Sequence, residues 1–305
     1  MHSLQNTTPT AITRRIGIAL TIFMAALLMS TAPGFAAPKR SADWYIKHGV
    51  SIASPTNSAP ISFLGMNGQP KGVLIDVWVK WSEKTGIPVR FRFERWAKTL
   101  ELVANGECDF HGGLFINDER ITYLDFSTPL HELESALIVS RKNDTDVQTI
   151  YNNYTIGVLD KGHTEYFLRT NKKNLKIIKF PTDGDVAQAL FLGQIQAAAG
   201  DHPILGYEIG KKGKGHELVV KEILFKHSLH AAVAKGNSTL LALIDEGLAN
   251  ITPAEYKNIT NHWFVFHAEN IDWFQYGFIA VTILFIATMI AIFIGRSKAG
   301  LYSEE

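Results

Sequence analysis

Only one cysteine, Cys108, occurs in the 305 residues, so no internal disulfide can brace the fold. It lies in Asn105-Gly106-Glu107-Cys108-Asp109, not after an N-terminal export signal as a lipid-attachment cysteine would, and is read as a small buried hydrophobe. A surplus of either charge is missing too. Lys and Arg number 30 against 29 Asp and Glu, which removes the electrostatic basis for binding nucleic acid. The chain has no low-complexity linker and no second catalytic domain. It shows no Ser-His-Asp, Cys-His or paired-carboxylate set that would support catalysis. Metal-ligand spacing is lacking as well, because His227 and His230 fall on or beside a strand rather than on a ligating helix. Neither a cofactor nor an enzymatic activity is expected.

Apolar segments stand at both ends, with an ordinary globular composition between them. Arg14 and Arg15 precede an uncharged apolar run from Ile16 to Met29, followed by Thr31-Ala32-Pro33-Gly34-Phe35-Ala36-Ala37. This is the order of a secretory signal peptide, expected over 1–36 with cleavage near Ala36, and the run is too short to span a bilayer comfortably. At the other end, Phe278 to Ile294 carries no charge, Trp273 and Tyr276 stand before it, and Arg296 and Lys298 follow. As a helix, 273–295 measures about 34 Å, enough for a hydrocarbon core of about 30 Å. Aromatics belong at the interface and basic residues inside. A single-pass inner-membrane helix is therefore expected, with the body outside the cytoplasm and a short cytoplasmic tail, 296–305.

Between the ends the hydrophobic period alternates between helix and strand, which implies an α/β fold with mostly parallel sheet. Leu74, Val77, Trp78 and Trp81 predict a helix between Gly72 and Gly86, and Val89 to Phe93 alternates as a strand. Trp96, Leu100 and Val103 mark a second helix, followed by strands near Phe110, Leu124–Phe126 and Ser135–Val139. A second unit repeats the pattern from Thr155 to Ile209. Two further helices follow, one around Leu240 to Leu248. The other opens on Thr252-Pro253-Ala254-Glu255, a capping box with proline at its first position.

The order of motifs from about Ser51 to Trp263 resembles the type 2 periplasmic solute-binding proteins of the polar-amino-acid family, solute-binding family 3. The markers are Ala59-Pro60-Ile61-Ser62-Phe63 with Gly68-Gln69-Pro70-Lys71-Gly72, Trp96, Gly106-Glu107-Cys108-Asp109, and Asp118-Glu119-Arg120 leading to Leu124-Asp125-Phe126-Ser127. Gly162-His163-Thr164 and Gly200-Asp201-His202-Pro203 follow in the second unit. The ending Ile251 to Trp263 is similar to the sensor branch, found ahead of transmembrane helices. The resemblance implies a solute-binding domain over 46–266, with lobe 1 at 46–140 and 228–266 and lobe 2 at 141–227. Crossings are expected near Ser140–Lys142 and Lys226–Ser228.

The resemblance also implies a site. Arg120 matches the arginine that grips a ligand carboxylate, for which a guanidinium fork is suited. Thr164 matches a hydroxyl at a second-lobe helix start, with simple N-capping as the alternative. Asp201 matches the acid that pairs with a ligand ammonium, the alternative again being a helix cap. Trp96 matches a position that covers the ligand, or is plain core. Gly113 belongs to the first-lobe glycine loop, where Phe115 departs from the usual hydroxyl residue. His163 stands where a small residue is usual and His202 follows Asp201; both are candidates to line the cleft and titrate near neutrality. The implied function is capture of a small carboxylate-bearing, amino-acid-like solute, for sensing or for delivery. An ABC permease or a membrane signalling protein is the implied partner. The alternative is a cyclohexadienyl dehydratase-like lyase on the same fold.

Overall fold

The computed structural model describes residues 40–264 apart from 212 and 214, together with 281–286 and 288–289. The helices are α1 (Ala42–His48), α2 (Val73–Thr85), α3 (Trp96–Ala104), α4 (Val147–Asn153), α5 (His163–Asn171), α6 (Asp183–Phe191), α7 (His202–Gly210), α8 (Ser238–Ala249) and α9 (Pro253–Phe264). The strands are β1 (Val50–Pro55), β2 (Asn57–Ser58), β3 (Ser62–Leu64), β4 (Pro70–Lys71), β5 (Val89–Glu94), β6 (Phe110–Leu114), β7 (Leu124–Ser140), β8 (Thr155–Leu159), β9 (Lys176–Phe180), β10 (Ala197–Asp201) and β11 (Leu218–Ala234).

Two parallel three-stranded sets, β5-β1-β6 and β10-β8-β9, flank an antiparallel pair of long strands in the order β5-β1-β6-β11-β7-β10-β8-β9. Each parallel set is covered by its own helices, and this makes the two lobes. The long strands β7 and β11 belong to both. β11 pairs with β6 of the first lobe at His230–Val233, while β7 pairs with β10 of the second at Ser135–Val139. Lys226 faces Glu134 and Ser228 faces Glu132 in the stretch between. The first crossing therefore falls between Pro129 and Glu134 rather than at Ser140–Lys142. Leu124–Phe126 and Ser135–Val139, expected as separate strands, are the two ends of one 17-residue strand. A strand that changes lobe without breaking leaves no turn residue to mark the place.

Helix α2 carries the first lobe's core. Val73, Leu74, Val77, Trp78 and Trp81 recur on one face and are all buried, as a 3.6-residue period requires. Gly72 begins the helix at φ 124°, and a Cβ there would lie 2.4 Å from the Ile61 carbonyl oxygen, so no side chain fits. Trp81 donates from Nε1 to the Ile244 carbonyl at 3.1 Å, tying α8 to α2. Cys108 is buried in the connection between α3 and β6, and burial pushes its thiol up to about 11, which leaves it inert.

Helix α9 starts on the expected capping box. The Thr252 hydroxyl accepts from the Glu255 amide at 3.3 Å, and the Glu255 carboxylate accepts from the Thr252 amide at 2.9 Å. At its other end Trp263 donates to Asp76 at 2.7 Å and meets Phe63 of β3 edge-on, with centroids 5.7 Å apart. Phe63 also lies 6.1 Å from Tyr207 of α7, which belongs to the second lobe.

The expected signal peptide and its cut near Ala36 lie outside the described residues, as do the tail and most of the expected span. Within that span, Val281, Ile283, Leu284, Phe285, Ile286 and Met289 are helical and exposed. No helix among the described residues is long and apolar enough to cross a membrane.

Candidate ligand-binding site

The carboxyl ends of β1, β6, β8 and β10 point into the cleft between the lobes, the usual position for ligands on open α/β sheets. Trp96, Gly113, Phe115, His163, Thr164 and Asp201 all line one cavity there, joined by Ser54, Ser58, Ser62 and Asp183. The lobes are closed over it. Ile204 of the second lobe lines the cavity and packs within the first lobe's core cluster.

On the first-lobe side the wall is the glycine loop of β6. Trp78 donates from Nε1 to the Gly112 carbonyl at 2.7 Å. The Gly113 amide donates to His111 Nδ1 at 3.1 Å, so the ring proton sits on Nε2, 3.0 Å from Thr99 Oγ1, whose hydroxyl donates to the Trp96 carbonyl at 2.6 Å. Burial, with Arg120 nearby, drops His111 to about 3, and it stays neutral. A Cβ on Gly113 would fall 2.3 Å from Leu74 Cδ1. The loop is thus fixed from behind by core side chains.

On the second-lobe side Thr164 and Asp201 are joined through Ser135. The Thr164 hydroxyl donates to Ser135 Oγ at 3.2 Å, and the Ser135 hydroxyl donates to Asp201 at 2.6 Å. Neither residue makes a side-chain capping bond to its helix, although Asp201 occupies the N-cap position of α7. Burial lifts Asp201 to about 6, against the pull of Ser135 and Arg120. Asp183, the first residue of α6, is 5 % exposed, and burial plus repulsion from Asp201 and Glu208 lifts it to about 8.

Arg120 stands apart from the other expected residues. Its guanidinium donates to the Phe115 carbonyl at 2.6 Å and across the cleft to the Lys161 carbonyl at 3.0 Å. It lines a neighbouring recess with Tyr123, Tyr166 and Arg169. Trp96 also donates to the Lys161 carbonyl, at 3.1 Å, and its ring lies 5.5 Å from the guanidinium carbon. Burial lowers Arg120 to about 10, which leaves it charged at neutral pH.

His163 lines the cavity but does not titrate near neutrality. Burial first, then Arg120 and His227, hold it down to about 3. Its Nε2 lies 3.4 Å from His227 Nδ1, and its Nδ1 has no partner. Phe115 fills the place of the usual hydroxyl with a ring packed on His163 and Phe225. His202 is not among the lining residues.

Several lining residues were not expected. Ser54 ends a parallel strand, a signal that points to a cleft. Asp183 reads in sequence as a first-turn acid after a capping threonine, and Thr182 does cap the helix. Its second role, beside Asp201, depends on a fold contact that no spacing encodes.

Two lobes joined by two crossing strands, with a buried cavity between them that carries a few polar side chains, define a solute-binding architecture. The chain belongs to the bacterial extracellular solute-binding proteins, family 3, whose sequence profile matches residues 50–266. A probable histidine-binding protein of Neisseria gonorrhoeae is 23% identical over 220 residues, covering 70% of this chain and 82% of that protein. The virulence sensor protein BvgS of Bordetella pertussis is 21% identical over 253 residues, which are 79% of this chain but only 20% of BvgS. The chain thus spans about a fifth of that relative. Among solved structures, a histidine kinase sensor domain with similarity to periplasmic binding proteins matches with a TM-score of 0.66 at 21% identity, covering 71% of this chain and 96% of that one.

Proposed function

We propose that the chain captures an amino-acid-like ligand outside the cytoplasm while anchored in the inner membrane by residues 273–295. The observation that carries this reading is the hydroxyl-linked pair Thr164 and Asp201 facing the Gly113 loop in one closed cavity, with a buried Arg120 beside it. Asp201 holds the ligand ammonium. The hydroxyl and free amides at the start of α5 hold the carboxylate, together with Arg120 through donors beyond those that hold Phe115 and Lys161. A charge-assisted bond in such a cleft is worth about 1.5–3 kcal/mol. Asp201→Ala is therefore expected to weaken amino-acid binding roughly tenfold to over a hundredfold, measured by calorimetry on the full chain in detergent. Because the ammonium needs the ionised carboxylate, wild-type affinity falls as pH drops through about 6. Unchanged affinity in Asp201→Ala removes Asp201 from the site.

The lyase alternative meets an electrostatic objection. Prephenate-like substrates carry two carboxylates; Arg120 can meet one, and the lining, which among the described residues offers Asp183 and Asp201 with no Lys or Arg, leaves the second without a cation. Whether capture serves delivery or sensing turns on the partner, an ABC permease or a membrane signalling protein; the likeness to the BvgS sensor favours the second. The topology has its own check. Protease added to spheroplasts is expected to remove the body from about Ala37 to Asp272, and protection of that body would overturn the orientation.

A further inference from the structure

We propose that Asp183 is a second cation-binding carboxylate in the cavity, which makes the preferred ligand an amino acid with a net positive charge, bearing an amine or guanidinium in its side chain. This rests on the amino-acid-binding reading above and narrows it.

Asp183 and Asp201 flank Gly200 in the same wall. A Cβ on Gly200 would lie 3.6 Å from Asp183 Oδ1, in ordinary contact, which puts the carboxylate directly beside the residue that precedes Asp201. Among the described residues neither carboxylate is in an ion pair, and the lining contains no Lys or Arg. Arg120 is the cation close enough to act on Asp201. With both ionised, the two carboxylates against one guanidinium would leave a single negative charge in a closed cavity, where an uncompensated charge is costly, and without a ligand Asp183 avoids it by holding a proton. A zwitterion brings no net charge and leaves Asp183 protonated, whereas a cationic side chain compensates its ionised form. Two further buried atoms lack partners at this wall and the one facing it: Ser62 Oγ and His163 Nδ1, on residues 3 % and 7 % exposed that line the same cavity. They are ready contacts for the several N–H groups of such a side chain.

The groups facing Asp183 are Asp201 on β10 and Glu208 on α7, both of which favour its protonated form; neutral His163 lines the same cavity, with His227 and Arg120 near it. At neutral pH Asp183 holds a proton that an arriving cation displaces. Binding of a cationic ligand therefore releases protons near pH 7, and its affinity rises as pH climbs toward about 8.

Calorimetry on the full chain in detergent tests this with arginine, ornithine and glutamine, each in buffers of low and high ionisation enthalpy. The expected result is binding of arginine or ornithine at least about tenfold tighter than glutamine. Their heats, but not those of glutamine, should vary with the buffer; the two cations decide between guanidinium and amine. Asp183→Asn should cost the cationic ligand about tenfold or more, abolish its proton release and leave glutamine unchanged or tighter. Glutamine binding as tightly as the cations, without proton release, overturns the proposal while leaving the amino-acid reading intact. If none of the three, nor any other amino acid, binds the wild-type chain, the amino-acid reading itself is wrong. The wild-type measurements need no variant, so a misfolded Asp183→Asn does not block the test.

Discussion

Arg120→Ala is expected to weaken ligand binding by more than about a hundredfold, the largest effect of any single change in the cleft. Three losses coincide. The guanidinium is 3 % exposed and bonds the Phe115 carbonyl of one lobe and the Lys161 carbonyl of the other. Its removal takes that donor from the Phe115 carbonyl, leaves the Lys161 carbonyl to Trp96, and releases one of the cross-cleft ties of the closed form. It also takes from Asp201 the cation that acts on it. Arg120→Lys restores the charge but not the fork that reaches two carbonyls at once, so it should recover only part of the affinity. Calorimetry of both variants against wild type checks this, and wild-type affinity in Arg120→Ala would show that the arginine only staples the lobes.

The largest stability effect is expected of Trp78→Ala, at about 3–5 kcal/mol. Trp78 is fully buried on α2, edge-on to Phe110 at 4.8 Å and to Trp81 at 6.0 Å, and it holds the Gly112 carbonyl. Truncation opens a cavity behind the β6 loop and strands that carbonyl. Trp78→Phe keeps most of the apolar contact and loses the hydrogen bond, for about 1–3 kcal/mol. Denaturant unfolding of the full chain separates the two, and a loss under about 1 kcal/mol in Trp78→Ala would mean the loop has other support. Because Gly113 lines the cavity, binding should weaken in both variants in proportion to how far the loop relaxes.

Much of this was readable from sequence because local signals and fold agree. The apolar stripe of α2, the capping box of Thr252 and Glu255, and the alternation in β5 each need only their own residues. The cavity-lining residues Thr164 and Asp201 lie in the family motifs that open α5 and α7. What stayed hidden depends on distant contacts. The unbroken run of β7 through the hinge carries no turn signal. Asp183 looks like an ordinary helix-start acid until β10 brings Asp201 and the bare Gly200 beside it. His163 looks like a neutral-range switch until Phe225, Phe115 and the closed lobes bury it. Charge and burial at a cleft are properties of two lobes together, and no stretch of either one reports them.

Phe63 touches a ring on each side, Tyr207 from the second lobe and Trp263 at the last turn of α9. If the second lobe swings away, the Tyr207 contact is the one that must part, while Trp263 keeps its contacts with Phe63 and Asp76. An aromatic pair is worth about 0.5–1.5 kcal/mol beyond the area it covers. That figure sets a ceiling on what this route can carry toward the residues after Phe264, a bias of roughly two- to tenfold between two states. Such a device can tilt an equilibrium that a partner already holds near balance, and it is too weak to drive one that is not.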